Sequence, residues 1–180
     1  MDMHFTDGII LKKDQYREAD FLITVLTKDF GKIRLAARGV RKQEAKLRGH
    51  IEVLMRSFFG FVLTKSGYRL TSADMKECYP NIRSHPELMR ATYSVFRLID
   101  ANTFEEREDP RLFEITLAFL LEMERGDDVT PEALNACLYR FYALFLDISG
   151  LLPDPTPLET SAIDAILATH LGFKTETLLI

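Results

Sequence analysis

The chain has no tryptophan, two cysteines and four histidines in 180 residues. Its longest apolar run, Ile115 to Leu121, holds a threonine and falls far short of the ~20 residues a membrane span needs. No basic residue precedes Lys12, so the N-terminus reads as neither a signal nor a transit peptide, and a cytoplasmic location without membrane contact is expected. Cys78 and Cys137 lie 59 residues apart with no CxxC or CxH neighbour, which argues against zinc; two free thiols, one or both buried, are expected. Gly31-Lys32 lacks the upstream glycine of a phosphate-binding loop, and GxGxxG, HExxH, GxSxG and DxDxDG are all missing. His4, His50, His85 and His170 are scattered and read as surface or capping residues. Glu105, Glu106, Glu108 and Asp109 precede a helix start and include Arg107, so they read as a solvated connection complementing a helix dipole, not as a metal site. Nothing sets a nucleophile against a base, so the expectation is a binding protein with no cofactor, metal or catalytic residue.

What is present is a globular composition, 47% apolar and 28% charged, with thirteen phenylalanines for a core. The net charge of −4 hides a split. Residues 1–80 carry 15 basic and 10 acidic side chains, net +5, whereas residues 81–180 carry 8 and 17, net −9. The densest basic stretch runs from Lys32 to Arg48, with seven cations against Glu44, net +6. Screening acts over about 8 Å at physiological salt, so a polyanion on this stretch feels the local charge and little of the acidic half.

The first 80 residues have the alternation and composition of strands. Phe5–Lys12 and Phe21–Thr27 are two runs rich in apolar and β-branched residues, and Lys28–Gly31 reads as a hairpin turn. Lys32–Arg38 alternates strictly. Ile51–Thr64 reads as one long strand bent at Gly60, and Tyr68–Cys78 as a fifth. Five strands with glycine bends and no helix fit a small closed barrel such as an OB-fold, with an SH3-like barrel as the alternative. After Pro80 the period becomes helical. Ser84–Glu87 reads as a capping box, followed by a stripe of Leu88, Ala91, Thr92, Val95, Phe96 and Ile99. Asp109-Pro110 and Thr130-Pro131 open two further helices stopping at Gly126 and Gly150, and a second capping box, Thr156–Glu159, opens one that stops at Gly172. The expectation is an α+β chain: an N-terminal five-stranded barrel over 1–80 for nucleic acid, and an α-helical domain over 81–180 for partners.

The basic strand and its loop are the candidate site. Ile33, Leu35 and Ala37 should fill the barrel, which turns Lys32, Arg34 and Arg38 outward in a row spaced ~6–7 Å apart, close to the phosphate spacing of a single strand. Arg41, Lys42, Lys46 and Arg48 add four cations on the following loop. If about six phosphates are neutralised, affinity should drop roughly a thousandfold between 50 and 200 mM salt. Among the aromatics, Phe58, Phe59 and Phe61 read as core, and Tyr16 and Tyr68 as candidates for base stacking. The same basic face suits an RNA-binding module. A protein-interaction adaptor with a scaffold barrel is the third reading.

Taken in order, Thr6-Asp7-Gly8-Ile9-Ile10-Leu11, Tyr16-Arg17-Glu18-Ala19-Asp20, the run Thr27 to Arg41 (Thr-Lys-Asp-Phe-Gly-Lys-Ile-Arg-Leu-Ala-Ala-Arg-Gly-Val-Arg) and Leu47-Arg48-Gly49 resemble the N-terminal domain of the bacterial DNA repair RecO family. Arg140-Phe141 through Gly150 resembles that family's Arg-Phe-rich helix. The resemblance implies an OB-fold that binds single- and double-stranded DNA and promotes annealing. It also implies a recombination mediator that acts with RecR, loads recombinase on DNA coated by single-strand-binding protein, and touches that protein's acidic C-terminal tail. On matching positions it makes Lys32, Arg34, Arg38 and Arg41 DNA contacts and Arg140 the candidate for the tail's carboxylates. The four-cysteine zinc site of many members has no counterpart in Leu151–Pro155, and a shortened C-terminal part is expected. The net −9 of residues 81–180 opposes an acidic tail unless a local arginine pocket overrides it.

Overall fold

The computed structural model describes residues 2–40, 47–126, 130–152 and 159–175. Five strands, β1 (Met3–Tyr16), β2 (Asp20–Thr27), β3 (Gly31–Ala37), β4 (Arg56–Thr64) and β5 (Gly67–Glu77), close into a barrel in the order β1-β2-β3-β5-β4. Four of the pairings are antiparallel. The closing one, β3 with β5, is parallel and brief, with Leu35 opposite Tyr68 and Ala36 opposite Arg69. This is the five-stranded, OB-like barrel read from the sequence.

The strict alternation of β3 puts Ile33, Leu35 and Ala37 inside, against Ile10, Ile23, Val25, Phe59, Phe61 and Leu70. β1 is long because it serves two neighbours: residues 3–9 pair with β4, and residues 8–16 with β2. Its register shifts between Ile10 and Lys12. On its other edge, beside β4, Ile10 bonds residues 54 and 55, donating to Met55 O and accepting from Leu54 N, both at 3.0 Å. These bonds explain a departure from the expected strand 51–64. Leu54 takes φ 64° there, which breaks the regular ladder, and β4 begins only at Arg56. The bend expected at Gly60 is present as a register shift between Gly60 and Phe61.

Arg56 ties the barrel wall together. Its Nη2 lies 2.6 Å from Asp7 Oδ2 and its Nη1 3.4 Å from Glu77 Oε1. Tyr79 donates its hydroxyl to Glu77 at 2.8 Å. The hydrogen bond to Asp7 raises the Arg56 pKa above its ordinary value against the opposing effect of burial.

Among the described residues five helices follow: α1 (Pro80–Ser84), α2 (Pro86–Asn102), α3 (Pro110–Arg125), α4 (Pro131–Ile148) and α5 (Thr160–Leu171). The apolar stripe expected on α2 is buried throughout. Thr130 caps α4, its hydroxyl accepting from Ala133 N at 3.2 Å, and Asp109 accepts from the N–H groups of Arg111 and Leu112 at the start of α3. Ser84 differs from expectation. It closes the unforeseen α1 and donates its hydroxyl to Asn81 O at 2.8 Å. Thr156, of the second capping box, lies outside the described residues, and α5 ends at Gly172 in the left-handed conformation. α2 and α4 meet through Ser94 and the Tyr142 hydroxyl, and α4 and α5 through the Tyr139 hydroxyl on Asp164. Among the described residues no helix is long and apolar enough to cross a membrane.

The chain falls into two compact units. One comprises Met1–Tyr79 with Thr103–Phe113, the other Pro80–Asn102 with Glu114–Ile180. The connection between α2 and α3 therefore packs with the strands.

Candidate nucleic-acid interface

β3 starts in a tight place. Gly31 has φ +64°, and a Cβ built there would lie 2.0 Å from the carbonyl oxygen of Arg107. The connection 105–107 runs against the first residues of the strand. Glu105 and Lys32 form a backbone β-bridge, and Glu106 N donates to Lys32 O at 2.9 Å. Lys32 is consequently only 6% exposed. The expected outward row of Lys32, Arg34 and Arg38 is corrected at its first member. Alternation turns Lys32 away from the core, but a distant piece of chain covers it.

Arg34 and Arg38 are exposed. Arg34 Nη2 forms an ion pair with Glu105 Oε1, the two side chains being 56% and 42% accessible. The acidic connection, expected to be merely solvated, thus contributes a counter-charge to the candidate site. Beside the pair lies a cleft of about 260 Å³ lined by Tyr16, Arg17, Arg34, Arg38, Tyr68 and Glu105 among others. Its floor is the outer surface of β2 and β3, where Leu22 pairs with Ala36 and Thr24 with Arg34. Its rims are the β1–β2 turn and the Ser66-Gly67 turn between β4 and β5. The Arg17 guanidinium lies 5.1 Å from the centre of the Tyr16 ring. Tyr68 packs edge-on against Phe61 at 5.3 Å between centroids. Burial, aided by the charge of Glu106, pushes the Tyr68 hydroxyl up from its ordinary value, so it stays a neutral donor. Both tyrosines singled out in the sequence thus border the same cleft as Arg34 and Arg38.

Arg41, Lys42 and Lys46 lie outside the described residues, and Arg48 sits in a single 3-10 turn, Arg48–His50. Of the three phenylalanines expected in the core, Phe59 and Phe61 are fully buried, but Phe58 is 43% exposed. Period-two alternation requires this, since neighbours of inward residues face out. Phe58 stacks on Phe5, ring centroids 6.1 Å apart and planes 9° from parallel. Two contributors to the cleft escape a reading of the sequence, Arg17 and Glu105. Arg17 carries no periodic signal because it lies in a turn. Glu105 reaches β3 from far along the chain, which local spacing cannot reveal.

In the helical unit, Arg140 is 60% exposed and its Nη1 lies 2.8 Å from both carboxylate oxygens of Glu122. Glu122 also borders a cavity of about 160 Å³ with Leu88, Met123, Leu134 and Cys137. Burial and then the charge of Glu122 push the Cys137 thiol up to about 12. Arg140 therefore already holds a carboxylate, supplied by its own chain.

Comparison with known proteins matches residues 1–79, which contain all five strands, to the family described as recombination protein O N terminal. Proteins named DNA repair protein RecO align beyond the barrel. That of Listeria monocytogenes is 26% identical over 97% of this chain and 66% of its own length. Those of Roseiflexus sp. and Dehalococcoides mccartyi are 30% and 32% identical over 90% and 83% of this chain, and 54% and 57% of their own lengths. The chain thus spans between about half and two thirds of the relatives it matches. With the whole barrel inside the matched region and the similarity running on into the helices, the chain is similar to the RecO family over most of its length.

Proposed function

We propose that this protein is a non-enzymatic, DNA-binding mediator of recombinational DNA repair. In this reading it binds single- and double-stranded DNA through the β2–β3 side of its barrel, promotes annealing, and helps load recombinase on DNA coated by single-strand-binding protein. The observation that carries the reading is the cleft in which Arg34 and Arg38 face solvent beside Tyr16 and Tyr68. Guanidinium groups along one wall suit successive phosphates, and two aromatic rings suit unstacked bases. Phosphate contacts position a strand without reading it, which matches a mediator indifferent to sequence. The loop cations Arg41, Lys42, Lys46 and Arg48 would extend the track. Lys32, being covered, is left out of it.

The helical unit is assigned to partners, RecR and the acidic tail of single-strand-binding protein. Arg140 would serve the tail by exchanging the carboxylate of Glu122 for one of the tail's own.

The test is strand annealing and single-strand binding by wild type and by a variant with Arg34, Arg38 and Arg41 all replaced by Ala. The variant should lose both activities while keeping its melting temperature within a few degrees. Unchanged annealing would remove the basis of the proposal. Competition between DNA and RNA of one sequence separates the RNA-binding reading, because only a site that uses the 2′-hydroxyl prefers RNA.

A further inference from the structure

Arg34 is held by a carboxylate of its own chain in the very cleft proposed for phosphates, and the chain bearing that carboxylate is seated by backbone contacts. Glu105 forms a β-bridge with Lys32, Glu106 N donates to Lys32 O, and Gly31 admits the carbonyl of Arg107 where any side chain would collide. Glu106 takes φ 60°, a left-handed conformation uncommon outside glycine, and lines the same cleft. The carboxylate of Glu105 is thus delivered to the guanidinium by a seated piece of backbone. Both partners of the pair are nevertheless about half open to water, so an arriving anion can reach Arg34.

These two properties act in opposite directions. Seating gives Glu105 a high effective concentration at Arg34, so a lone anion has little chance of displacing it. Exposure keeps the pair weak, so a strand also held at neighbouring cations displaces it readily. We propose that Glu105 is an intramolecular competitor for the ligand's phosphate at Arg34. It sets a threshold that only a chain making several phosphate contacts passes. This rests on the DNA-binding reading above and identifies the group that nucleic acid must replace.

When a strand displaces Glu105, the freed carboxylate remains beside the new phosphate and retains a cation. That offsets the counterion released by the phosphate. Removing the charge of Glu105 should therefore both tighten binding and steepen its dependence on salt.

The test is fluorescence anisotropy of a labelled dT20 oligonucleotide between 50 and 200 mM salt, with the full chain. Glu105→Gln should bind about three- to tenfold more tightly than wild type at the low-salt end. The slope of log affinity against log salt should grow by up to ~0.7. Glu108→Gln, which removes an equal charge from a residue outside the cleft, should stay within twofold of wild type. In an Arg34→Ala background the gain from Glu105→Gln should vanish, since competitor and ligand share that residue. Glu105→Ala repeats the measurement without an amide that could itself hydrogen-bond Arg34. A Glu105→Gln affinity within twofold of wild type overturns the proposal, as does an equal gain from Glu108→Gln. If Arg34→Ala weakens binding while Glu105→Gln does nothing, the DNA reading stands and the competitor falls. If wild type itself shows no salt-sensitive binding to dT20, both fall.

Discussion

Gly31 occupies a position that no other residue fits, for two separable reasons. Its φ of +64° costs an L-residue about 1–2 kcal/mol, and a Cβ would sit 2.0 Å from Arg107 O, a backbone atom that can move only with the whole connection. Gly39 offers the comparison, with φ +70° and nothing within 4 Å of its Cβ position. Gly39→Ala should lose only the backbone part. Gly31→Ala should lose clearly more, read as a larger fall in urea midpoint at unchanged m-value. Cys137 makes a different prediction from the same kind of crowding. Its thiol, pushed up to about 12 by burial and by Glu122, carries almost no thiolate near neutrality. Iodoacetamide at pH 8 should leave Cys137 unmodified in the native protein and alkylate it once the chain is unfolded, as peptide mapping would read. Because the folded pKa lies above the unfolded one, the stabilisation linked to this thiol is complete below about pH 8.5. It drains away as pH rises towards 12.

At the scale of elements, α1 depends on a residue outside itself. Glu124 of α3 accepts from Asn81 N at 3.0 Å and from Ile82 N at 3.1 Å, satisfying N–H groups that a five-residue helix cannot pair internally. Glu124→Ala should cost ~1–2 kcal/mol in thermal denaturation, and Glu124→Gln less, since the amide oxygen still accepts. This helix also marks the limit of what is legible in the sequence. The strands of the barrel and the buried stripe of α2 are legible because each follows a local period, two or 3.6, that survives into the fold. α1 is not, because its cap comes from another helix. Residues 51–55 have the apolar composition of a strand, yet Leu54 bonds Ile10 at φ 64° and the regular ladder starts only at Arg56. The candidate site divides the same way. Alternation turns Arg34 outward as expected, and it turns Phe58 outward too, against the pull of that residue's hydrophobicity. What alternation cannot supply is a distant neighbour. The burial of Lys32 and the pairing of Arg34 both follow from Glu105–Arg107, which share no periodic relation with β3.

The whole molecule separates its charge less sharply than the two halves of the sequence suggest. Assigning 103–113 to the strands gives that unit 17 basic and 14 acidic side chains, net +3, and leaves the helical unit 6 and 13, net −7. A barrel of net +3 gains little from its total charge when it meets a polyanion. In the proposed reading its affinity comes from local placement, since screening confines each interaction to about 8 Å at physiological salt. Two kinds of substitution should then behave differently. Replacing Arg34, Arg38 and Arg41 together should reduce the slope of log affinity against log salt for a single strand by about 1.4, near 0.7 for each phosphate lost at Arg38 and Arg41 and little at Arg34, where Glu105 takes up a cation in wild type. Replacing three cations placed elsewhere on the barrel, Lys12, Lys65 and Lys76, alters the net charge equally yet should leave the slope within ~0.5 of wild type. Equal slopes for the two triple variants would mean that binding follows total charge and not the cleft, and the β2–β3 site would then lose its claim to be where the strand lies.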